Sequence, residues 1–295
     1  MNSKVQSLKA FLGSAGRVAL VEVAGTKGST PREKGAFMLV SQASTFGTIG
    51  GGQLEYMAID KARQMLFSPS RDARIEVAEV CATLDVPLGP EIGQCCGGRV
   101  EVLIRLVDAT LAAEVVAAAE VEEALLPHVY IFGGGHVGQA LASAIALLPV
   151  HGVVVETRAE ALEGMPETVE TRLTPMPEAM VRDAPAGTAF AILTHDHALD
   201  FLIVAEALKR DDTAYVGMIG SKTKKATFKN WFLKSADGSE TEFARLVSPI
   251  GGDAVKDKRP PVIAALAAAE IMMALVVHAA ASTADQASRR KVMAG

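Results

Sequence analysis

The run Gly133-Gly134-Gly135-His136-Val137-Gly138 does most to limit what this chain can become. It fits G-x-G-x-x-G, follows a short apolar stretch at 129–132, opens a helical stretch at 137–148, and is answered by a second short strand at 152–155 that ends in Glu156. Strand, bare-glycine turn and helix in that order make the first unit of a doubly wound parallel sheet. Glycine backbone lets an anion approach the N–H groups at the helix start, where the helix dipole adds positive potential. A pyridine dinucleotide is the default ligand of such a turn, and any other phosphate is served by the same physics. His136 is the odd residue, an ionisable and metal-ligating ring placed where the ligand must pass.

The alternation continues. A strand at 189–193 ends in Thr194-His195-Asp196-His197, a helix follows at 199–209, a strand at 213–219 ends in Gly220-Ser221-Lys222, and another helix covers 223–233. This pattern predicts a parallel sheet with helices on both faces, whose ligands bind at the carboxyl ends of the strands. His195 and His197 face the same way in an extended segment and could share a ligand or metal; the alternative is that Asp196 or His197 only caps the next helix. Ser221 and Lys222 could offer an amide and a positive charge to an anion on the same edge. Residues 234–242 are polar enough for a mobile surface excursion. The alanine-rich stretch 263–281 contains Glu270 and His278 and reads as a well-buried helix in preference to a membrane span.

The first half has a different pattern. Strands at 17–24 and 35–41 flank a polar loop at 25–32 in a hairpin-like unit, a strand at 45–49 follows, and Gly50-Gly51-Gly52 leads into a helix at 53–67. Gly51, Gly52 and Gln53 thus offer a second anion-binding helix start, with Lys27, Thr30 and Arg32 as polar donors unless they merely solvate the loop. Strands at 74–80 and 99–107 bracket a loop at 81–98. The predicted fold is α/β. A mixed α+β domain spans 1–110, a helical linker 111–127, and a Rossmann-like parallel-sheet domain with a C-terminal helix 128–295.

The chain has three cysteines, and two of them, Cys95 and Cys96, are adjacent and followed by Gly97-Gly98. Neighbouring Cα atoms lie about 3.8 Å apart while an unstrained disulfide needs roughly 4.4 to 6.8 Å, so these two read as free thiols. Soft sulfur donors suit soft metals and sulfur chemistry; filling a small space before the strand at 99–107 is the bland alternative. A net charge of −5 argues against nucleic acid or an anionic membrane as the partner. The opening MNSKVQSLKAFLG lacks the apolar core of a signal peptide, so a cytoplasmic protein is expected. There is no Walker lysine motif, no G-x-S-x-G and no H-E-x-x-H.

Several segments together resemble the XdhC/CoxI family, accessory proteins that mature molybdenum hydroxylases such as xanthine dehydrogenase. They are V-A-G-T-K-G-S-T-P-R-E-K-G-A-F-M at 23–38, G-T-I-G-G-G-Q-L-E at 47–55 and G-P-E-I-G-Q-C-C-G-G-R-V at 89–100. The second half adds I-F-G-G-G-H-V-G-Q-A-L at 131–141, T-H-D-H at 194–197, V-G-M-I-G-S-K at 216–222, S-P-I-G at 248–251 and D-K-R-P-P-V-I-A-A at 257–265. The likeness covers nearly the whole chain.

The resemblance implies a chaperone that binds the molybdenum cofactor (molybdopterin), holds it while a cysteine desulfurase supports its sulfuration, and inserts it into the molybdenum subunit of apo xanthine dehydrogenase. A homodimer is expected. It implies that Cys95 or Cys96 meets the molybdenum or relays sulfur. It further implies cofactor binding by Gln94, Gly97, Gly98, Gly51, Gly52, Gln53, Gly133, Gly135, His136, Gly138, Thr194, His195, Asp196, Ser221 and Lys222. The chain departs from many relatives in carrying Glu156 where they have aspartate, which changes the reach toward a ribose. The cysteine pair, absent from some relatives, favours the xanthine dehydrogenase branch. Two other readings compete: an NAD(P)-dependent oxidoreductase built on the glycine turn, and a zinc enzyme using Cys95, Cys96, His195 and His197.

Overall fold

The computed structural model describes residues 4–67, 81–89 and 97–293, with side chains to residue 283. The predicted strand at 74–80 and the predicted site residues Gln94, Cys95 and Cys96 lie outside the described residues. The chain divides into two compact units, Asn2–Ala124 and Leu125–Gly295.

In the first unit β1 (Val18–Lys27), β2 (Phe37–Ser41), β3 (Thr45–Gly47), β4 (Cys81–Pro87) and β5 (Arg99–Leu106) form an antiparallel sheet in the order β3-β2-β1-β5-β4. Alternation sends successive side chains to opposite faces. Val21, Val23, Met38, Val40, Val102 and Ile104 pack on α2 (Gly52–Phe67), which contributes Leu54, Ala58, Ala62 and Leu66. On the other face Val18, Leu20 and Leu39 pack with Val5 and Leu8 of α1 (Lys4–Ser14) and Ala119 of α3 (Ala109–Ala124). Each such large side chain, fully buried, contributes about 1.5–3 kcal/mol. The helix that the sequence suggests as a linker, α3, is therefore a layer of this unit, also tied to α1 by Lys4–Glu122 and Lys9–Glu120 ion pairs. The loop expected from residue 81 begins instead as β4, an edge strand among the described residues, whose Pro87 is tolerated at its end. β1 runs on to Lys27 through a bulge between Val23 and Gly25.

The second unit holds β6 (His128–Phe132), β7 (His151–Glu156), β8 (Glu170–Leu173), β9 (Ala189–Ile192), β10 (Tyr215–Met218) and β11 (Leu246–Val247). All pair in parallel, in the order β11-β10-β9-β6-β7-β8. Counted from β6 this is the doubly wound order, with its switch point between β6 and β9. One face is covered by α4 (His136–Ile145) and α9 (Pro260–Met293), the other by α5 (Pro177–Arg182), α6 (His197–Lys209) and α7 (Lys222–Ser235). Within β6, Val129 and Ile131 face the first pair of helices while Tyr130 and Phe132 face the second group.

Two expectations change here. Residues 234–242 lead into α8 (Glu240–Ala244) through a capping box, in which Ser239 N donates to Glu242 Oε2 at 2.7 Å and Glu242 N donates to Ser239 Oγ at 3.2 Å. The apolar stretch within α9 is buried on one side only. Ala264, Ala267, Ala268, Ile271 and Leu275 pack on the sheet and α4, while Met273, Val276 and Val277 are more than 60 % exposed. By length and composition Pro260–Thr283 could cross a membrane, yet here its alanine face is part of the core. Glu270, midway along it, accepts hydrogen bonds from Tyr215 Oη at 2.7 Å and Gly251 N at 2.8 Å.

Candidate functional site

At the carboxyl edge of the parallel sheet, three glycines of the β6–α4 turn are required by close backbone approach. A Cβ on Gly133, whose φ is +109°, would stand 2.6 Å from Leu193 O and 3.0 Å from Thr194 Cα, so the turn is seated against the end of β9. A Cβ on Gly138 would stand 1.9 Å from Gly133 O, and one on Gly134 2.2 Å from Ala161 O. Gly135 is the N-cap of α4 and makes no side-chain capping bond; it and His136 are exposed. Among the described residues no side chain caps the first-turn amides of α4.

Glu156, at the end of β7, is turned back onto this loop. Its Oε2 accepts from Gly134 N at 2.8 Å, and its Oε1 from Thr157 N at 2.7 Å and Arg158 N at 3.2 Å. Burial pushes this carboxyl up, and the hydrogen bonds from Gly134, Thr157 and Arg158 outweigh it and hold the group below the usual carboxylate range.

On the neighbouring strand, Asp196 is the N-cap of α6, accepting from Ala198 N at 2.8 Å and Leu199 N at 3.4 Å. Capping therefore accounts for Asp196, while His195 and His197 are exposed. Among the described residues no three His, Cys, Asp or Glu are grouped to hold a metal. Thr194 donates through N and Oγ1 to Asp200 Oδ1, and Asp200 is paired with Lys224. Ser221 caps α7, accepting from Lys224 N at 3.3 Å, and exposed Lys222 lies 3.7 Å from Asp253. Ile250 N donates to Met218 O at 3.1 Å, which brings the 248–253 segment to the same edge. One edge thus collects Gly133, Gly135, His136, Thr194, His195, Asp196, Ser221 and Lys222. The sequence reading missed Asp200 and Lys224: nothing in the spacing of K-T-K-K separates buried Lys224 from exposed Lys222 and half-buried Lys225.

The first unit has its own loop cluster. A Cβ on Gly98 would stand 2.1 Å from Ser29 O and 2.8 Å from Lys27 O, and one on Gly28 3.3 Å from Gly98 Cα. A Cβ on Gly50 would stand 2.7 Å from Pro31 Cγ. Leu88 N donates to Gly98 O at 2.8 Å and Gly97 N to Leu88 O at 2.9 Å. Three separate motifs therefore meet, at 27–32, 50–52 and 97–98. Beside them lies a cavity of 340 Å³ lined by Pro31, Arg32, Glu33, Lys34 and Ala36. The second glycine turn carries an internal acid as well: Glu55 Oε2 accepts from Thr48 Oγ1 at 2.6 Å, Ile49 N at 3.2 Å and Gly51 N at 2.9 Å. The Gly51 amide, expected to face an anion, is thus taken, while Gly52 and Gln53 are exposed at the start of α2.

Comparison with known proteins covers both units. A model of the XdhC Rossmann domain matches residues 129–271, and a model of the XdhC and CoxI family matches residues 12–75. The uncharacterized protein YqeB of Escherichia coli strain K12 is 27 % identical over 265 residues, covering 86 % of this chain and 43 % of that protein. The chain spans less than half the length of this curated relative. The fold is similar to the crystal structure of a xanthine dehydrogenase from Bacillus halodurans, with a TM-score of 0.74 at 18 % identity over 93 % of this chain and 96 % of that one.

Proposed function

Because the chain belongs to the XdhC and CoxI family, we propose that it is a carrier of the molybdenum cofactor in the maturation of a xanthine dehydrogenase. It takes up the cofactor as cargo, holds it while a cysteine desulfurase supports its sulfuration, and passes it to the molybdenum subunit of the apo-enzyme. The observation that carries this reading is the convergence of three motif loops of the first unit, with Gly28 and Gly98 packed backbone to backbone and Gly50 packed against the Pro31 ring. Cys96 directly precedes Gly97 in the chain, so the motif that supplies the thiols also supplies one of these loops.

The residues present suit such a cargo. Molybdopterin offers a phosphate, a flat heterocycle rich in hydrogen-bonding atoms, and a dithiolene-bound metal. The uncapped start of α4 at Gly135 and His136 suits the phosphate. In the second unit exposed Lys222 supplies a cationic donor, and Thr194 and Ser221 stand on the same strand-end edge as α4; the first unit has exposed cations of its own in Lys27 and Arg32. Cys95 and Cys96 supply soft donors for molybdenum or for sulfur relay. The protein acts in the cytoplasm as a homodimer, a reading supported by the exposed apolar Met273, Val276 and Val277 of α9.

Purification from cells that make the cofactor, with molybdenum and pterin measured together, tests the reading. Co-purifying pterin that falls in Cys95→Ala and Cys96→Ala variants is the expected result. A protein without pterin, even after loading in vitro, that binds NAD saturably would replace the carrier with an oxidoreductase.

A further inference from the structure

A dinucleotide bound at a strand-glycine-helix turn needs more than a pyrophosphate site. The acid closing the second strand has to be free to accept from the ribose hydroxyls, and the space between that acid and the turn has to be open. In this chain both conditions fail. Glu156 is 4 % exposed and both of its oxygens are engaged, Oε2 by Gly134 N and Oε1 by Thr157 N, Thr157 Oγ1 and Arg158 N. A carboxylate has room for about four such donors, so little accepting capacity is left for a ribose.

The adjoining space is filled by the chain. After β7 a 3-10 turn at Ala159–Leu162 brings Ala161 O so close to Gly134 that a Cβ there would stand 2.2 Å from it. Arg158, placed where an arginine can receive a 2′-phosphate in NADP-binding folds, turns inward toward Glu156 at 3.5 Å.

We propose that Glu156 sets the ligand specificity of this turn by excluding nucleotides: together with Ala161 O it occupies the position of the adenylate ribose. NAD, NADP and AMP are refused. The exclusion stands independently of the carrier reading; joined to it, the turn meets the phosphate of a ligand that places no nucleoside beside Glu156.

Calorimetric titration of the full chain with NAD, NADP and AMP tests this, with pterin content measured in the same preparation. No saturable binding of any of the three up to about 1 mM is expected. Saturable binding of NAD or NADP tighter than that, competed by AMP, would overturn the exclusion whatever the pterin content. Missing pterin, in turn, bears on the carrier reading alone.

Discussion

Asp200 and Lys224 form an ion pair from which solvent is almost excluded, the carboxylate side chain 0 % and the lysine side chain 8 % exposed. Because Asp200 also accepts from Thr194 N at 3.1 Å and Thr194 Oγ1 at 2.6 Å, the pair fastens the Thr194-His195-Asp196 loop to α6 and α7 together. Gly220 is glycine for a related reason, since a Cβ there would stand 2.7 Å from Lys224 Cδ.

Removing one partner strands a buried charge. Lys224→Met is expected to destabilise the second unit by about 3–5 kcal/mol, and the double variant Asp200→Leu/Lys224→Met by clearly less. Urea unfolding of the single and double variants measures both; a double variant as unstable as the single one would show that the pair itself, and not the stranded charge, carries the energy.

Two glycines of the first unit separate strain from collision. Gly51 has φ +76° with no atom within 4 Å of a would-be Cβ, so Gly51→Ala is expected to cost about 1–2 kcal/mol through backbone strain alone. In Gly98→Ala the methyl group meets Ser29 O and Lys27 O, both backbone atoms. That variant is expected to lower both the melting temperature and pterin loading more than Gly51→Ala, which differential scanning calorimetry and pterin assay would show.

Loss of Glu55 leaves Ile49 N and Gly51 N without their acceptor. Glu55→Ala is expected to destabilise the first unit by about 1–3 kcal/mol, and Glu55→Gln by less because one acceptor oxygen remains. Hydrogen exchange at the Gly51 amide should accelerate in the alanine variant, and unchanged exchange would mean that the turn holds without the acid.

Acid sensitivity is expected in two stages. Burial, and then the charge of the neighbouring His151, push His128 below its ordinary 6.5, with Arg172 acting in the same direction and Glu170 opposing. The unfolded chain therefore binds this proton more readily, and stability falls as pH drops from about 6.5 toward the lower folded value. Hydrogen bonding from Arg172, against burial, holds Glu170 below 4.5, and the bonds to Glu156 do the same there, so a second loss begins as pH falls below that value. Melting temperatures from pH 8 to about 3 should show both losses, and His128→Asn should remove the first.

The parallel-sheet half is legible in the sequence because buried strands such as V-Y-I-F and A-F-A-I are short apolar runs punctuated by glycine turns and helix caps. β8, with the sequence E-T-R-L, escapes because it is an edge strand whose residues are half-exposed or exposed. β4 escapes because prolines and glycines cluster at its end, and α3 is misread because alanine and glutamate look alike in a linker and in a packed helix. At the site, the glycines could be found from their spacing. Their partners could not: Glu55, Glu156 and Glu270 each accept a loop amide, at Gly51, Gly134 and Gly251, and only the fold decides that a carboxylate turns inward. Cys95 and Cys96 were the strongest chemical signal in the sequence and lie outside the described residues.

The tie from Glu270 to Tyr215 has a bearing on how the protein is made. Tyr215 leaves the ribosome 55 residues ahead of Glu270. Burial pushes its hydroxyl well above the ordinary phenol range, with the Glu270 hydrogen bond adding to it, so it remains a proton donor that needs an acceptor once water is gone. Until α9 has been synthesised, β10 can pair with its neighbours only with that hydroxyl unanswered and with the alanine-contacting face of the sheet open. The second unit therefore closes only after α9 has followed β10 out of the ribosome, and a nascent chain halted before Glu270 would expose the face on which a chaperone can act.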